Sequence, residues 1–247
     1  MFLRALFLSL ALCLPLVAHA DCTAHLNEWV QALAPGRMID ANNAACKIWP
    51  QKPAQTLAVL PLPQKGATDD RTVYDVEILL ADGKTGRVIA HVYEPSAITS
   101  DAVRLQGTAL DTARWQIAPG VLAFGVTKNY EGSSRVNPFA ATTLSLYVVD
   151  GSRLRRVLAD LTKQQSNGDW DGNCAGHFSD VSRVLSIGSA GQNGYATLRV
   201  NEKTVDSIHA EAGGQCAAKD KAAKRVNSTL DYDGAHYRVP AAMVFDQ

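Results

Sequence analysis

Residues 142–161, TTLSLYVVDGSRLRRVLADL, constrain the fold more than any other stretch of the chain. Thr142, Leu144, Leu146 and Val148 alternate with Thr143, Ser145, Tyr147 and Val149. That period of two belongs to a strand, whose successive side chains point to opposite faces. Asp150-Gly151 then supplies the positive-φ turn chemistry of a tight hairpin, and Leu154, Val157 and Leu158 carry the return.

The same layout recurs on both sides. Residues 73–80 and 87–93 flank Asp82-Gly83, 121–126 is a strand, 181–187 and 195–200 flank a glycine-rich turn, and 229–232 and 237–239 flank Asp233-Gly234. Tyr232 and Tyr237 are placed to face one another across that last turn. Turns every 30–40 residues or so are compatible with the blades of a propeller. The expected fold is therefore all-β: an antiparallel hairpin meander arranged as an irregular small propeller, with a two-sheet sandwich or barrel as the alternative.

The first part of the chain reads differently. Leu26, Trp29, Val30 and Leu33 fall at helical spacing, and Pro35-Gly36 stops the run. This predicts a short N-terminal helix within a helix-and-loop segment, 21–55, in which Trp49 is a local core residue. Two later stretches lack alternation. Residues 163–177, KQQSNGDWDGNCAGH, read as a polar loop, and the charged run AAKDKAAKR at 217–225 reads as a solvated loop.

Residues 1–20, MFLRALFLSLALCLPLVAHA, join one basic residue, an apolar core and a small-x-small ending. They are expected to be a signal peptide cleaved after Ala20. The apolar run is too short for a membrane span, which needs about 20 residues. Neither Cys13 nor Cys22 follows a small residue as a lipoprotein cysteine would. The 227 residues that remain form one expected domain, 21–247, in the periplasm or outside the cell.

Four cysteines stay with that domain: Cys22, Cys46, Cys174 and Cys216. An even number in an oxidising compartment points to disulfides. Of the three connectivities, Cys22–Cys46 with Cys174–Cys216 is favoured, because each pair brackets a segment with weak strand patterning. Without Arg4, 23 basic side chains face 24 acidic ones, a net charge of −1. There is no basic face for nucleic acid phosphates and no polybasic segment for an anionic membrane. Nothing after residue 20 is apolar enough to span a bilayer.

The blocks VRLQGTALDTARWQIAPGVLAFGV (103–126), EGSSRVNPF (131–139), GDWDGNC (168–174) and LDYDGAHYRVP (230–240) resemble those of exported proteobacterial proteins of unassigned function. The resemblance implies a Gram-negative envelope origin and carries no residue roles.

Common catalytic constellations are missing from the sequence. No GxSxG is present, and Gly132-Ser133-Ser134 sits in a turn-like stretch. His25, His91, His177, His209 and His236 are too dispersed for HExxH. Cys174 and His177 would make a nucleophilic pair only if Cys174 were a free thiol. Asp169, Asp171 and Asn173 put three oxygen donors within five residues, a weak Ca²⁺ candidate. The competing reading is an Asx-rich turn. No cofactor is implied. Trp115, Tyr130, Arg135, Phe139 and Trp170 lie in or beside glycine- and proline-containing connections. They are the candidate binding residues, since aromatics and arginine anchor interfaces.

These observations point to a non-enzymatic periplasmic or secreted binding protein whose partner is a protein, in the manner of an inhibitor or immunity protein. The alternative is an exported hydrolase acting on envelope polysaccharide or peptidoglycan through dispersed carboxylates, with Asp169, Asp171 and His177 as its first candidates.

Overall fold

A 3₁₀ turn, Cys22–His25, leads into helix α1, Leu26–Leu33, and nearly everything after it is strand. The structure, a computed structural model, describes residues 22–68 and 70–245; the expected signal peptide lies outside the described residues. Twelve strands follow: β1 Ala45–Ile48, β2 Gln55–Pro63, β3 Thr72–Asp82, β4 Val88–Ser100, β5 Val103–Ala118, β6 Val121–Gly132, β7 Phe139–Asp150, β8 Arg153–Trp170, β9 Gly176–Ala190, β10 Ala196–Ala212, β11 Gln215–Asp220 and β12 Lys224–Leu230.

All twelve belong to one sheet. Its spine runs β1-β2-β3-β4-β8-β7-β6-β5, and β9, β10, β11 and β12 extend it from β8. The pairings are antiparallel except for β4 with β8, a parallel contact through the single register pair His91↔Arg153. The far edge, β5, curls back toward the start of the sheet. There the Thr108 backbone N–H and hydroxyl both donate to the Asn43 carbonyl, at 3.2 and 2.7 Å. The result is a nearly closed, barrel-like sheet. All-β and the barrel alternative hold. Separate propeller blades do not form, because hydrogen bonding runs without a break from β1 through to β12.

Alternation places three apolar clusters. The barrel interior takes Leu57, Val59, Val76, Ile78, Leu80, Phe124, Val126 and Tyr147, with Trp49 fully buried among them. The opposite parity of β7, Leu144, Leu146 and Val148, joins Val157, Leu158 and Leu161 of β8 and Leu198 and Val200 of β10. Tyr232 and Tyr237 close this second cluster, bridged to one another as the closing hairpin predicts. The third lies beneath α1. Leu26, Trp29 and Val30 cover Ala58, Leu60, Leu62, Leu79 and Ala81 on β2 and β3. Burying each large side chain there stabilises by roughly 2 kcal/mol. The Trp29 indole N–H donates to Gly86 O at 2.6 Å, and Cys22–Cys46 pins the helix start to β1.

Two sequence expectations change. The polar stretch after residue 162 continues β8 as far as Trp170, and the charged run 217–225 is largely strand, with 217–220 in β11, 224–225 in β12 and only 221–223 between them. Both faces of these strands meet water, so burial imposes no alternation on them.

Candidate functional site

A cleft of about 610 Å³ opens between the loop that joins β6 to β7 and the strands β8, β9 and β10. Arg135, exposed on that loop, and Phe139, the first residue of β7, stand at its mouth. Ser166, Phe178, Asp180 and His209 line its floor. A second hollow of about 280 Å³ shares Glu131, Ala140 and Ser166 with the first and continues it toward Gln106, Asn129, Thr142 and Gln164.

Strand register sets a polar row beside the cleft, of which Asn129, Thr142 and Gln164 line the second hollow while Ser182 and Lys203 lie beyond both hollows. Asn129 pairs with Thr142, Thr142 with Gln164, Gln164 with Ser182, and Ser182 with Lys203, giving one row across β6, β7, β8, β9 and β10. Directly opposed residues lie about 5 Å apart, so the row is a continuous strip of amides and hydroxyls ending in one cation. The Thr142 hydroxyl donates to Asn129 Oδ1 at 2.9 Å. In the neighbouring row the Ser166 hydroxyl donates to Asp180 Oδ1 at 2.5 Å.

Phe178 lies against the sheet over two glycines, Gly168 opposite it on β8 and Gly176 two residues before it on β9 itself. A Cβ on Gly168 would come within 2.4 Å of the ring, and a Cβ on Gly176 within 2.8 Å. His209 packs against the same ring with centroids 4.4 Å apart. Phe139 is seated alike, with Gly132 opposite its Cβ at 3.1 Å and Phe245 stacked on its ring at 5.1 Å.

Of the five expected contact residues, Trp115 and Trp170 line neither hollow, and Tyr130 borders the second one from the core. Trp115 is 7 % exposed, and its indole N–H donates to Asp111 Oδ1 at 3.3 Å. Tyr130 is 5 % exposed in the barrel interior, where burial pushes its phenol pKa up. Each is a core residue, placed by the inward parity of its strand. Trp170 is half-buried at the end of β8. Phe178 and His209 are floor residues the sequence reading passed over. Gly176 stands two residues before Phe178 in the sequence, but Gly168 becomes its neighbour only through the β8–β9 register.

The structure joins Cys22 to Cys46 and Cys174 to Cys216, the favoured pairing, so Cys174 is not a free thiol beside His177. Asp171 Oδ1 accepts the backbone N–H groups of Asn173, Cys174 and Ala175 at 2.8, 2.9 and 3.1 Å. Those bonds hold its carboxyl below the usual range. This is the Asx-turn arrangement, which commits that oxygen to the backbone. Asp169 and His177 are exposed and opposed in register at the tip of the β8–β9 hairpin. Among the described residues no group of three or more His, Cys, Asp or Glu is gathered that could hold a metal ion.

Two clusters of ionisable side chains lie elsewhere. On the outer face of β3 and β4, Asp75 accepts from Arg37 Nη1 at 2.9 Å, from the Gln64 amide at 2.6 Å and from the Ser96 N–H at 2.8 Å. Burial alone would raise the Asp75 pKa, but these donors together hold it well below the carboxylate range. Beside it the buried Glu77 carboxylate meets His91 Nδ1. Inside the barrel, Glu94, Lys128, Tyr147, Arg156 and Asp160 form a linked set. None of these residues lines the cleft. No helix among the described residues is long and apolar enough to cross a membrane. No protein-family model, no characterised protein and no solved structure matches the chain.

Proposed function

We propose that this is a non-enzymatic binding protein of the periplasm or cell exterior, and that it takes its ligand in the cleft beneath the 133–138 loop. One observation carries the reading. The largest hollow described above has an exposed arginine and seated aromatic rings, while both clusters of shifted carboxylates lie outside it. Ligand sites pair apolar or aromatic walls with a few placed polar groups, and this cleft has both. The two disulfides suit an oxidising compartment. A protein partner of the inhibitor or immunity kind would anchor at the mouth, on Arg135 and Phe139.

The test is capture. The disulfide-bonded protein is immobilised and exposed to an envelope extract, beside an Arg135→Ala/Phe139→Ala double variant. One stoichiometric partner retained by the parent and lost by the variant is the expected result. Equal capture by both would move the contact away from the cleft. A hydrolase reading would instead be supported by turnover of cell-wall material that Asp169→Asn or Asp171→Asn abolishes.

A further inference from the structure

We infer that the floor of the cleft is a binding site for a neutral glycan chain, laid across the strands from β6 to β10. The inference rests on the cleft being the ligand site and commits to the chemistry of the ligand.

The row Asn129, Thr142, Gln164, Ser182 and Lys203 crosses five strands. At about 4.8 Å between strands it spans about 19 Å, long enough for several sugar rings in line. Asn129, Thr142 and Gln164 of this row line the second hollow, which joins the first through Glu131, Ala140 and Ser166; the first reaches Ser207 and His209 on β10, so the path runs on across the sheet. A small metabolite would need only one of the hollows.

The side chains match hydroxyls. Carboxamides and alcohols each donate and accept, as sugar hydroxyls do, so either member of a contact can supply the proton. The first four positions of the row carry no charge, and the cleft sets one arginine at its mouth against Glu131 and Asp180 along its walls. A polyanion would find no field to draw it in, since recognition of charge needs an excess of the opposite sign.

The rings complete the match. A pyranose has an apolar face of C–H groups that packs on the electron-rich face of an aromatic ring. Phe178 offers such a face flush with the sheet, because Gly168 and Gly176 leave room for the ring to lie down. A side chain at either glycine would lift it. Phe139, seated over Gly132, stands at the other end of the first hollow. Flat platforms among polar side chains suit a chain that lies along a surface.

The experiment measures binding of neutral oligosaccharides, hexose and N-acetylhexosamine series of two to six units, to the disulfide-bonded protein by calorimetry. Saturable binding to at least one series is expected, with affinity rising tenfold or more from two to six units. Phe178→Ala and Gly168→Ala should each weaken it at least tenfold. Gln164→Ala, at an exposed position, should weaken it several-fold with an unchanged melting temperature, so that loss of binding is separable from loss of fold. Two results overturn the glycan. One is binding only to anionic glycans. The other is no oligosaccharide binding while a protein partner is captured through the cleft, which leaves the binding reading standing. If neither ligand class binds, both readings fall.

Discussion

Glu77 is 1 % exposed, yet it sits on the outer parity of β3, next in register to Leu60 of β2 and Tyr93 of β4. Its side-chain partner is His91, whose ring remains 43 % exposed. Burial raises the Glu77 pKa, and the imidazole beside it only partly offsets that. The folded pKa therefore lies above the unfolded one. The stability this group contributes is fully present below the ordinary Glu range and is lost as pH rises through the raised value. At neutral pH the carboxylate relies on His91 for compensation. His91→Ala should thus cost about 2 kcal/mol at pH 7, the usual penalty for a buried acceptor left without its partner. The cost should shrink toward zero below pH 4, where Glu77 is protonated. Urea midpoints at the two pH values decide it: an equal loss at both would mean that His91 acts through packing alone. The neighbouring Asp75 has the opposite sign, since its donors depress its pKa. Its contribution is present above the ordinary Asp range and fades as pH falls.

Strand β11 shows what a disulfide does for an element with no core. All six residues, Gln215–Asp220, are exposed, and the strand pairs only with β10. Lys219 and, just beyond the strand, Lys221 stand along its outer edge, where charge discourages pairing with a foreign strand. With no apolar burial, its order comes from the β10 ladder and from Cys174–Cys216, which ties it to the β8–β9 turn. By loop entropy that bridge, closing 42 residues of separation, stabilises the fold by about 4 kcal/mol. The Cys174→Ala/Cys216→Ala variant should lose hydrogen-exchange protection across 215–220 first, with the β6–β7 ladder unchanged. Uniform loss across the molecule would show the bridge acting on the whole chain instead. This element also marks the limit of what the sequence discloses. Where the faces are buried against apolar clusters, as both are in 142–149 and 73–80, the apolar side chains announce the strand. In 163–170 and 202–220 little apolar surface is buried on either face, so composition looks like loop although each segment is paired with a neighbouring strand. The cleft was half legible for the same reason. Arg135 and Phe139 stand out beside a glycine- and serine-rich turn. Phe178 gains its role in part from Gly168, which meets it only through pairing. Trp115 and Tyr130 misled because flanking turn residues say nothing about which way a side chain faces.

At the scale of the whole molecule, the barrel closes by side chains more than by backbone. The β1–β4 and β5–β8 halves share one register pair, His91↔Arg153, with the His91 N–H reaching Ser152 O at 3.3 Å. Around that seam, inside the barrel, the β4 residue Glu94 accepts from the β7 residue Tyr147 at 3.1 Å and from the β8 residue Arg156 at 3.2 Å. Lys128 on β6 donates to the β4 carbonyl of Ala97 at 3.3 Å and pairs with Asp160 at 2.6 Å. Asp160 takes a positive φ of 42°, an uncommon backbone for a non-glycine residue. The Ser145 hydroxyl holds it there by accepting its N–H at 3.0 Å. Burial would raise the Asp160 pKa, but Lys128 and Arg156 outweigh it and keep the carboxyl ionised. The same burial, with Glu94 beside it, drives the Tyr147 phenol well above its usual pKa, so it remains a donor. These contacts reach across the β4–β8 gap where ladder hydrogen bonds are scarce. Glu94→Ala would leave Tyr147 and Arg156 without their shared acceptor, a loss of about 2 kcal/mol that falls mainly on the buried Tyr147 hydroxyl, since Arg156 is 36 % exposed and keeps Asp160. The cost should appear locally. Amide exchange at His91 and Arg153 should accelerate before that of the β2–β3 or β6–β7 ladders, because the seam has no second rung to fall back on. If Glu94→Ala lowers global stability while the seam amides keep their protection to the end, the halves are held by the apolar interior. In that case the charged set serves only to satisfy itself.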